Sequence, residues 1–352
     1  MEINGHHLDR PLAQGGMGIG ISLDGLAGAV ARAGGLGVLS SAYAGLHEPG
    51  FWDDPKGVSL KALTRRIRQA RDRAGDRGLV GVNIMRAVSD YKEQVQAALA
   101  GGVDVIISGA GLPLELPKLV GKASVLLAPV VSGGRVANLI CRYWLKHANR
   151  LPDLVVVEGP FAGGHLGFKD EELAADREPA LADLVREVRK ALAPYEEKKG
   201  RPIPIIAAGG LVDRADVQAA LEVADIAQLG TRFIATDECD ADQAFKDRII
   251  QARDEDVMVI ESPVGMPGRA LKSPLTLAIA QGDRRPPATC YKCLGPCNPA
   301  TTPYCISRAL VASAQGDWEN GLFFSGAHVG KINRQTPVAD VFTEVLREGG
   351  TL

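Results

Sequence analysis

Short apolar, β-branched segments that end in glycine or a small polar residue recur along this chain, with longer segments of helical periodicity between them. A parallel strand pair needs a crossover long enough to hold a helix, so the alternation predicts βα units and a parallel sheet. Strands are expected at "PLAQGGMG", "GLGVLSSA", "LVGVNIM", "VDVIISGAG", "SVLLAPVV", "PDLVVVEG", "IPIIAAGG" and "IAQLGTRF". That is the set a closed (β/α)8 TIM barrel requires. A length of 352 residues would hold either one large α/β barrel or two ordinary domains, and the strand pattern selects the barrel.

The intervening segments carry helix signals. In "LADLVREVRKAL" the residues Leu181, Leu184, Val185, Val188 and Leu192 fall three to four apart and so share a face. "SDYKEQVQAALAGG" opens on Ser89 or Asp90 as a cap and closes on Gly101 and Gly102. "HEPGFWDDPKGVS" is expected to be a loop over the C-terminal face of the barrel. The division expected is a barrel over residues 1–235 and an extension over 236–352 that is not an independent domain. The extension contains a helix near "DQAFKDRIIQA", the strand-like "VMVIESP", a Cys-rich stretch and a helix around "PVADVFTEVL". The bends in "VGMPGRALKSP" are expected to fold it over the barrel mouth.

Charge and composition exclude several functions. A net charge of −2 with 23% charged and 46% hydrophobic residues leaves no nucleic-acid or membrane footprint. "MEINGHHLDRPLAQGG" lacks a signal peptide's basic and apolar regions, and no apolar run approaches the ~20 residues of a membrane span. A cytoplasmic location with reduced thiols is expected.

In a parallel barrel the working residues stand at the C-terminal ends of strands. Here those ends read "AQGGMGIG", "GPFAGGHLGF", "AAGGL" and "QLGTRF". Glycines let backbone N–H groups approach a ligand, and barrels commonly hold a phosphate between the loops after strands seven and eight. Gly209, Gly210, Gly230 and Thr231 occupy that place, although glycines also simply make tight turns. His165 follows the apolar "LVVV" strand beside Gly163 and Gly164, where an imidazole can exchange a proton with a ligand. His6, His7, His47 and His147 lack such a setting, and His328 is the less distinct case.

These motifs, with "VGVNI", "EGPFAGGHLGF", "PIIAAGGL", "IAQLGTRFIAT" and "SPVGMPGRAL", resemble the nitronate monooxygenase (2-nitropropane dioxygenase) family, related to the FMN-dependent enoyl-acyl-carrier-protein reductases. The resemblance runs from about residue 10 to residue 275. It implies an FMN-binding barrel in which Gly15, Gly16 and Met17 lie against the flavin ring and Asn83 contacts it. Gly163, Gly164, Gly209, Gly210, Gln228, Gly230 and Thr231 would hold the cofactor, and His165 would be the active-site base. Two positions depart from the family pattern. Glu158 stands in place of a glutamine near the flavin's pyrimidine, where an acid disfavours an anionic reduced flavin unless protonated or paired. Phe161 replaces the acid of the family's "EAGGH".

"CYKCLGPCNPATTPYC" spaces Cys290, Cys293, Cys297 and Cys305 as x2, x3 and x7. Clustered thiolates suit a [4Fe–4S] cluster or tetrahedral zinc, and unligated thiols are the third reading. The spacing resembles the cluster segment of the dienoyl-CoA reductases, another set of FMN barrels. Cys141 and Cys239 read as structural.

The function expected is an FMN-dependent oxidoreductase that oxidises a nitronate or similar small anionic substrate, with O2 or a quinone as acceptor. Two alternatives stand beside it. One is an NAD(P)H-dependent flavin ene-reductase acting on an enoyl thioester or activated alkene, with an iron–sulfur relay. The other is a non-redox phosphate-binding lyase or isomerase with structural zinc. No G-x-G-x-x-G follows a strand, and a homo-oligomer is compatible with the sequence.

Overall fold

A computed structural model describes residues 1–174 and 177–346. Its strands follow the apolar segments closely. They are β1 (Leu12–Gln14), β2 (Leu36–Ser40), β3 (Leu79–Met85), β4 (Val105–Gly109), β5 (Leu126–Val131), β6 (Val155–Glu158), β7 (Ile205–Ala208) and β8 (Ile226–Leu229). All pairs are parallel, and the sheet closes where Ala227, Gln228 and Leu229 of β8 face Leu12, Ala13 and Gln14 of β1. The chain is therefore the TIM barrel its sequence predicts.

Strand side chains alternate between two cores, as the period of two demands. Val38, Val105, Ile107, Leu126, Val156 and Ile206 point inward and fill the barrel, with Ile3 and Leu8 of the N-terminal segment joining them. Leu39, Ile106, Leu127, Val155 and Ile205 point outward and join the helices. The helices on that outer layer are α1 (Asp24–Arg32), α2 (Pro55–Ala74), α3 (Tyr91–Gly101), α4 (Leu116–Val120), α5 (Gly134–Ala148), α6 (Leu181–Lys199), α7 (Arg214–Leu221) and α8 (Thr231–Ile234). On α6, Leu184, Val185, Val188 and Leu192 are buried. Gly102 closes α3 in the left-handed conformation that glycine supplies without strain.

The segment "HEPGFWDDPKGVS" is not loop throughout. Pro55 opens α2 at its first turn, where its missing N–H costs nothing, and Asp54 caps it by accepting from the Gly57 N–H at 3.0 Å. Capping chemistry outweighed the Pro and Gly content there.

Beyond the barrel come α9 (Gln243–Gln251), β9 (Val257–Glu261), β10 (Pro267–Leu271), α10 (Pro274–Ala280), α11 (Ile306–Ala314) and α12 (Val338–Val345). β9 and β10 are antiparallel, and β10 pairs in turn with Gly164 and His165. The extension is thereby hydrogen-bonded to the loop that follows β6. Residues 347–352, the end of that expected extension, lie outside the described residues.

Candidate active site

The C-terminal strand ends open into two joined cavities. The mouth measures about 340 Å³ and the narrower recess, between the ends of β6, β7 and β8, about 110 Å³. Gly16, Met17, Asn83, Glu158, Gly163, Gly230 and Thr231 wall both. Gly15, Gly209, Gly210 and Gln228 line the recess, and Gly164 and His165 line the mouth. Every cofactor-site and catalytic residue singled out from the sequence thus faces one continuous space.

Backbone geometry explains the glycines that matter most. At Gly16 a Cβ would lie 2.5 Å from the Asn83 Cβ, so only glycine lets the strand end approach β3. Gly210 has φ +83°, and a side chain there would meet Phe161 at 2.8 Å and the His328 Nδ1 at 3.2 Å. Gly230 differs, because a Cβ there would meet only the Met17 Sδ, at 3.8 Å. Its free side faces the cavity rather than protein.

The Gln228 Oε1 is buried in the recess wall with no hydrogen-bond partner among the described residues. An orphaned acceptor of this kind needs a donor, and a hydroxyl-bearing chain or a ring N–H supplies one. The Gln228 acceptor, the open flank of Gly230 and the closely approached glycines together fit a flavin mononucleotide lying from mouth to recess.

Burial controls the two titratable groups. Glu158 ends β6 and desolvation pushes its carboxyl up to about 7. Desolvation lowers the His165 imidazole to about 4, so it is neutral at physiological pH. Its Nε2 lies 2.8 Å from the Ser262 Oγ, which also accepts from the Val264 N–H at 3.4 Å. This leaves Nδ1 as the ring nitrogen not bonded to Ser262. Phe324 packs edge-on to the ring at 5.2 Å. A neutral, oriented imidazole in an apolar mouth is a competent proton acceptor.

Arg269 and Gly326 were not singled out in the sequence, and His328 was its less distinct case. Arg269 of β10 is buried, and its guanidinium donates to the Pro160 and Ala162 carbonyls, stapling the loop between Glu158 and His165. The turn at Gly326 donates its N–H to the Thr231 Oγ1 at 2.9 Å, and His328 bonds through Nδ1 to the Gly210 carbonyl at 2.9 Å. His328 therefore lines the recess. By contrast His7, His47 and His147 are exposed, and His6 sits in the N-terminal hairpin. Replacing Arg269 with methionine strands two buried carbonyls and is expected to cost about 2–4 kcal/mol in urea unfolding, with an accompanying fall in kcat as the loop loosens.

The cysteine motif does not gather into a metal-binding group. Among the described residues no three His, Cys, Asp or Glu side chains come together to hold a metal ion. The backbone around Cys293 is instead paired to the barrel edge: the Ser89 N–H donates to the Cys293 carbonyl and the Gly295 N–H to the Ala87 carbonyl. The thiols still act on one another, Cys290 and Cys293 on Cys297 and Cys293 on Cys305. The Cys293 Sγ meets the Ser307 Oγ at 3.0 Å, Cys305 precedes α11, and Cys290 is exposed beside the Lys292 N–H. Burial first, and the neighbouring thiols after it, raise the Cys297 and Cys305 thiols above their ordinary range. Neither an iron–sulfur cluster nor a zinc site at Cys290, Cys293, Cys297 and Cys305 has support among the described residues. Cys141 and Cys239 are buried core residues, as expected. Among the described residues no helix is long and apolar enough to cross a membrane.

A TIM barrel with a glycine-walled groove at its C-terminal face and a neutral histidine in the mouth has the layout of a small-molecule site. Residues 2–348 match the nitronate monooxygenase family, and the chain belongs to that family of enzymes. It is 28% identical over 279 residues to (3aS,4S,5R,7aS)-5-hydroxy-7a-methyl-1-oxo-octahydro-1H-indene-4-carboxyl-CoA dehydrogenase of Mycobacterium tuberculosis, across 79% of this chain and 67% of that protein. A nitronate monooxygenase of Paraburkholderia phytofirmans is 29% identical across 56% of this chain and 49% of its own. The matched stretches thus span half to two thirds of these relatives. Among solved structures, FabK from Thermotoga maritima superposes with a TM-score of 0.75 at 26% identity, covering 97% of this chain and 93% of that one.

Proposed function

We propose that this chain is an FMN-dependent oxidoreductase of the nitronate monooxygenase type, acting on a nitronate or similar small anionic substrate. The observation that carries the reading is the joined pair of cavities, glycine-walled at one end and bearing a neutral histidine at the other. Gly209, Gly210, Gly230 and Thr231 would hold the phosphate, Gln228 would accept from the cofactor's donor groups, and Gly15, Gly16, Met17 and Asn83 would flank its ring, with Gly163 and Gly164 lending backbone. Glu158 would stand nearby as a carboxyl poised between its two forms.

When bound, FMN supplies an electron acceptor that can pass reducing equivalents on to O2. The chain's own part is proton handling and exclusion of water. His165 takes or positions the substrate proton at a nitrogen that Ser262 keeps oriented, while Phe324, Leu310 and Met266 keep the mouth dry. Of the expected extension, residues 236–346 would act as the cap of this site rather than as a separate domain. The free state of all six cysteines accords with a cytoplasmic location.

One observation favours a second reading. Leu112, Val136, Leu310, Leu322 and Phe324 make much of the mouth apolar, which suits an acyl thioester, and a relative is named for an acyl-CoA dehydrogenation. NAD(P)H or another electron carrier would then exchange with the flavin. The test is to release the bound chromophore and identify it, then to compare O2 uptake and nitrite formation on an alkyl nitronate with turnover of an enoyl thioester and NAD(P)H. FMN with nitrite formation is the expected result. A flavin-free protein overturns the reading, and turnover of the thioester alone replaces the substrate class.

A further inference from the structure

Adjoining the mouth, with which it shares Ala42, Met85, His165 and Leu310, lies a smaller chamber of about 50 Å³. His165 lines it on one side, and Ser59, Gln94, Lys56, Asp90 and Cys293 line it on others. Two of these carry buried polar atoms without a partner among the described residues, the Ser59 Oγ and the Gln94 Oε1. Both residues are 6% exposed, one on α2 and the other on α3.

The Gln94 orientation is fixed by its neighbour. Its Nε2 donates to the Asp90 Oδ1 at 2.9 Å, and a flipped amide would set oxygen against carboxylate. Oε1 is therefore the atom left to the chamber. Asp90 precedes α3 but makes no side-chain cap, so its carboxylate serves Gln94 instead. Asp90 and Lys56 are both half-buried and reach the surface, where Lys56 donates to the Ser89 Oγ at 2.6 Å.

Much of the chamber wall is apolar, from Ile19, Val88, Val264, Leu294 and Ile306, and the two unpaired atoms form a polar corner in it; water needs only ~10–15 Å³ beside two to four polar partners. The chamber supplies both. His165 lines both the mouth and the chamber, so a proton it takes from a ligand in the mouth can leave on the chamber side.

We propose that this chamber holds ordered water and passes protons between His165 and the half-exposed Asp90 carboxylate. The inference rests on the proton-handling role given to His165 above. Where the substrate arrives as the neutral nitroalkane, its α C–H bond breaks, the proton binds an imidazole nitrogen, and the electron pair stays in the nitronate that is then oxidised. The imidazolium then gives a proton to a chamber water, that water gives one to Asp90, and Asp90 gives it to solvent. His165 returns neutral and no charge accumulates. A substrate reduction runs the same chain inward.

A high-resolution crystal structure of the holoprotein tests the first half: waters bonded to the Ser59 Oγ and Gln94 Oε1 are expected, and a dry chamber or a bound organic molecule overturns the proposal. The second half is tested with Gln94→Leu and Ser59→Ala. Each is expected to lower kcat about tenfold, a fraction of the ~10²–10⁴ that general acid–base catalysis supplies, and to raise the solvent deuterium isotope effect on kcat while KM and flavin content hold. An unchanged kcat and isotope effect in both variants overturns the relay even where the waters are present. Failure of the functional reading shows differently, as an unsubstituted protein with no flavin or no turnover.

Discussion

Replacing His165 with asparagine is expected to lower kcat/KM by about 10²–10⁴-fold, the usual contribution of a positioned acid–base group, while flavin content stays at the level of the unsubstituted protein. Asparagine keeps a polar side chain of similar reach toward Ser262 but cannot take a proton at neutral pH. The pH profile separates this from a structural effect. Desolvation holds His165 near 4, below its ordinary 6.5, so the base stays active down to about pH 4 and the acid limb of kcat/KM falls there. Glu158, raised to about 7, ionises through neutrality, and the change it causes near pH 7 is expected to vanish in Glu158→Gln. The stability signs are opposite. Between pH 4 and 6.5 the unfolded chain binds more protons at His165 than the folded one, so this group's contribution to stability rises with pH. Between about 4.5 and 7 the folded chain holds the extra proton at Glu158, so that contribution falls as pH rises. A profile still governed by an ionisation near 6.5 in the unsubstituted enzyme would remove His165 from the role.

The barrel was legible because its rule is local. Apolar runs such as "VDVIISGAG" and "PDLVVVEG" end on small residues, and strand eight closes on strand one through pairs that the pattern already implies. The groove was legible for the same reason: Gly209, Gly210, Gly230 and Thr231 lie at adjacent strand ends, so sequence position alone brings them together. What escaped depends on contacts between distant segments. Arg269 looks like one more charged residue in "MPGRAL" until β10 pairs with Gly164 and carries its guanidinium under the Pro160 carbonyl. Ser262 and His328 reach the site the same way, from the extension. The cysteine spacing did not decide the use of the thiols, because spacing alone does not bring four side chains to ligand geometry. Here Cys293 is committed to pairing with the edge at Ser89.

Gly230→Val is expected to abolish flavin binding while leaving the apoprotein folded. Elsewhere in the groove a glycine is enforced by protein: a Cβ on Gly163 would sit 2.6 Å from the Ser325 carbonyl carbon, so substitution there disturbs the fold itself. At Gly230 φ is −111°, outside the left-handed region, and the nearest heavy atom to an added Cβ is the Met17 sulfur at 3.8 Å. Valine therefore meets no backbone and instead extends into the recess, where the phosphate of the cofactor would lie. Loss of one backbone hydrogen bond to a charged oxygen is worth about 1.5–3 kcal/mol, or ~10–150-fold in affinity, and steric exclusion adds to that. Circular dichroism and urea unfolding should match the unsubstituted apoprotein, while the purified variant is colourless and fluorescence titration with FMN shows at least that weakening. Full flavin occupancy in Gly230→Val would place the phosphate somewhere other than the loop after β8, and with it the orientation of the whole cofactor relative to His165.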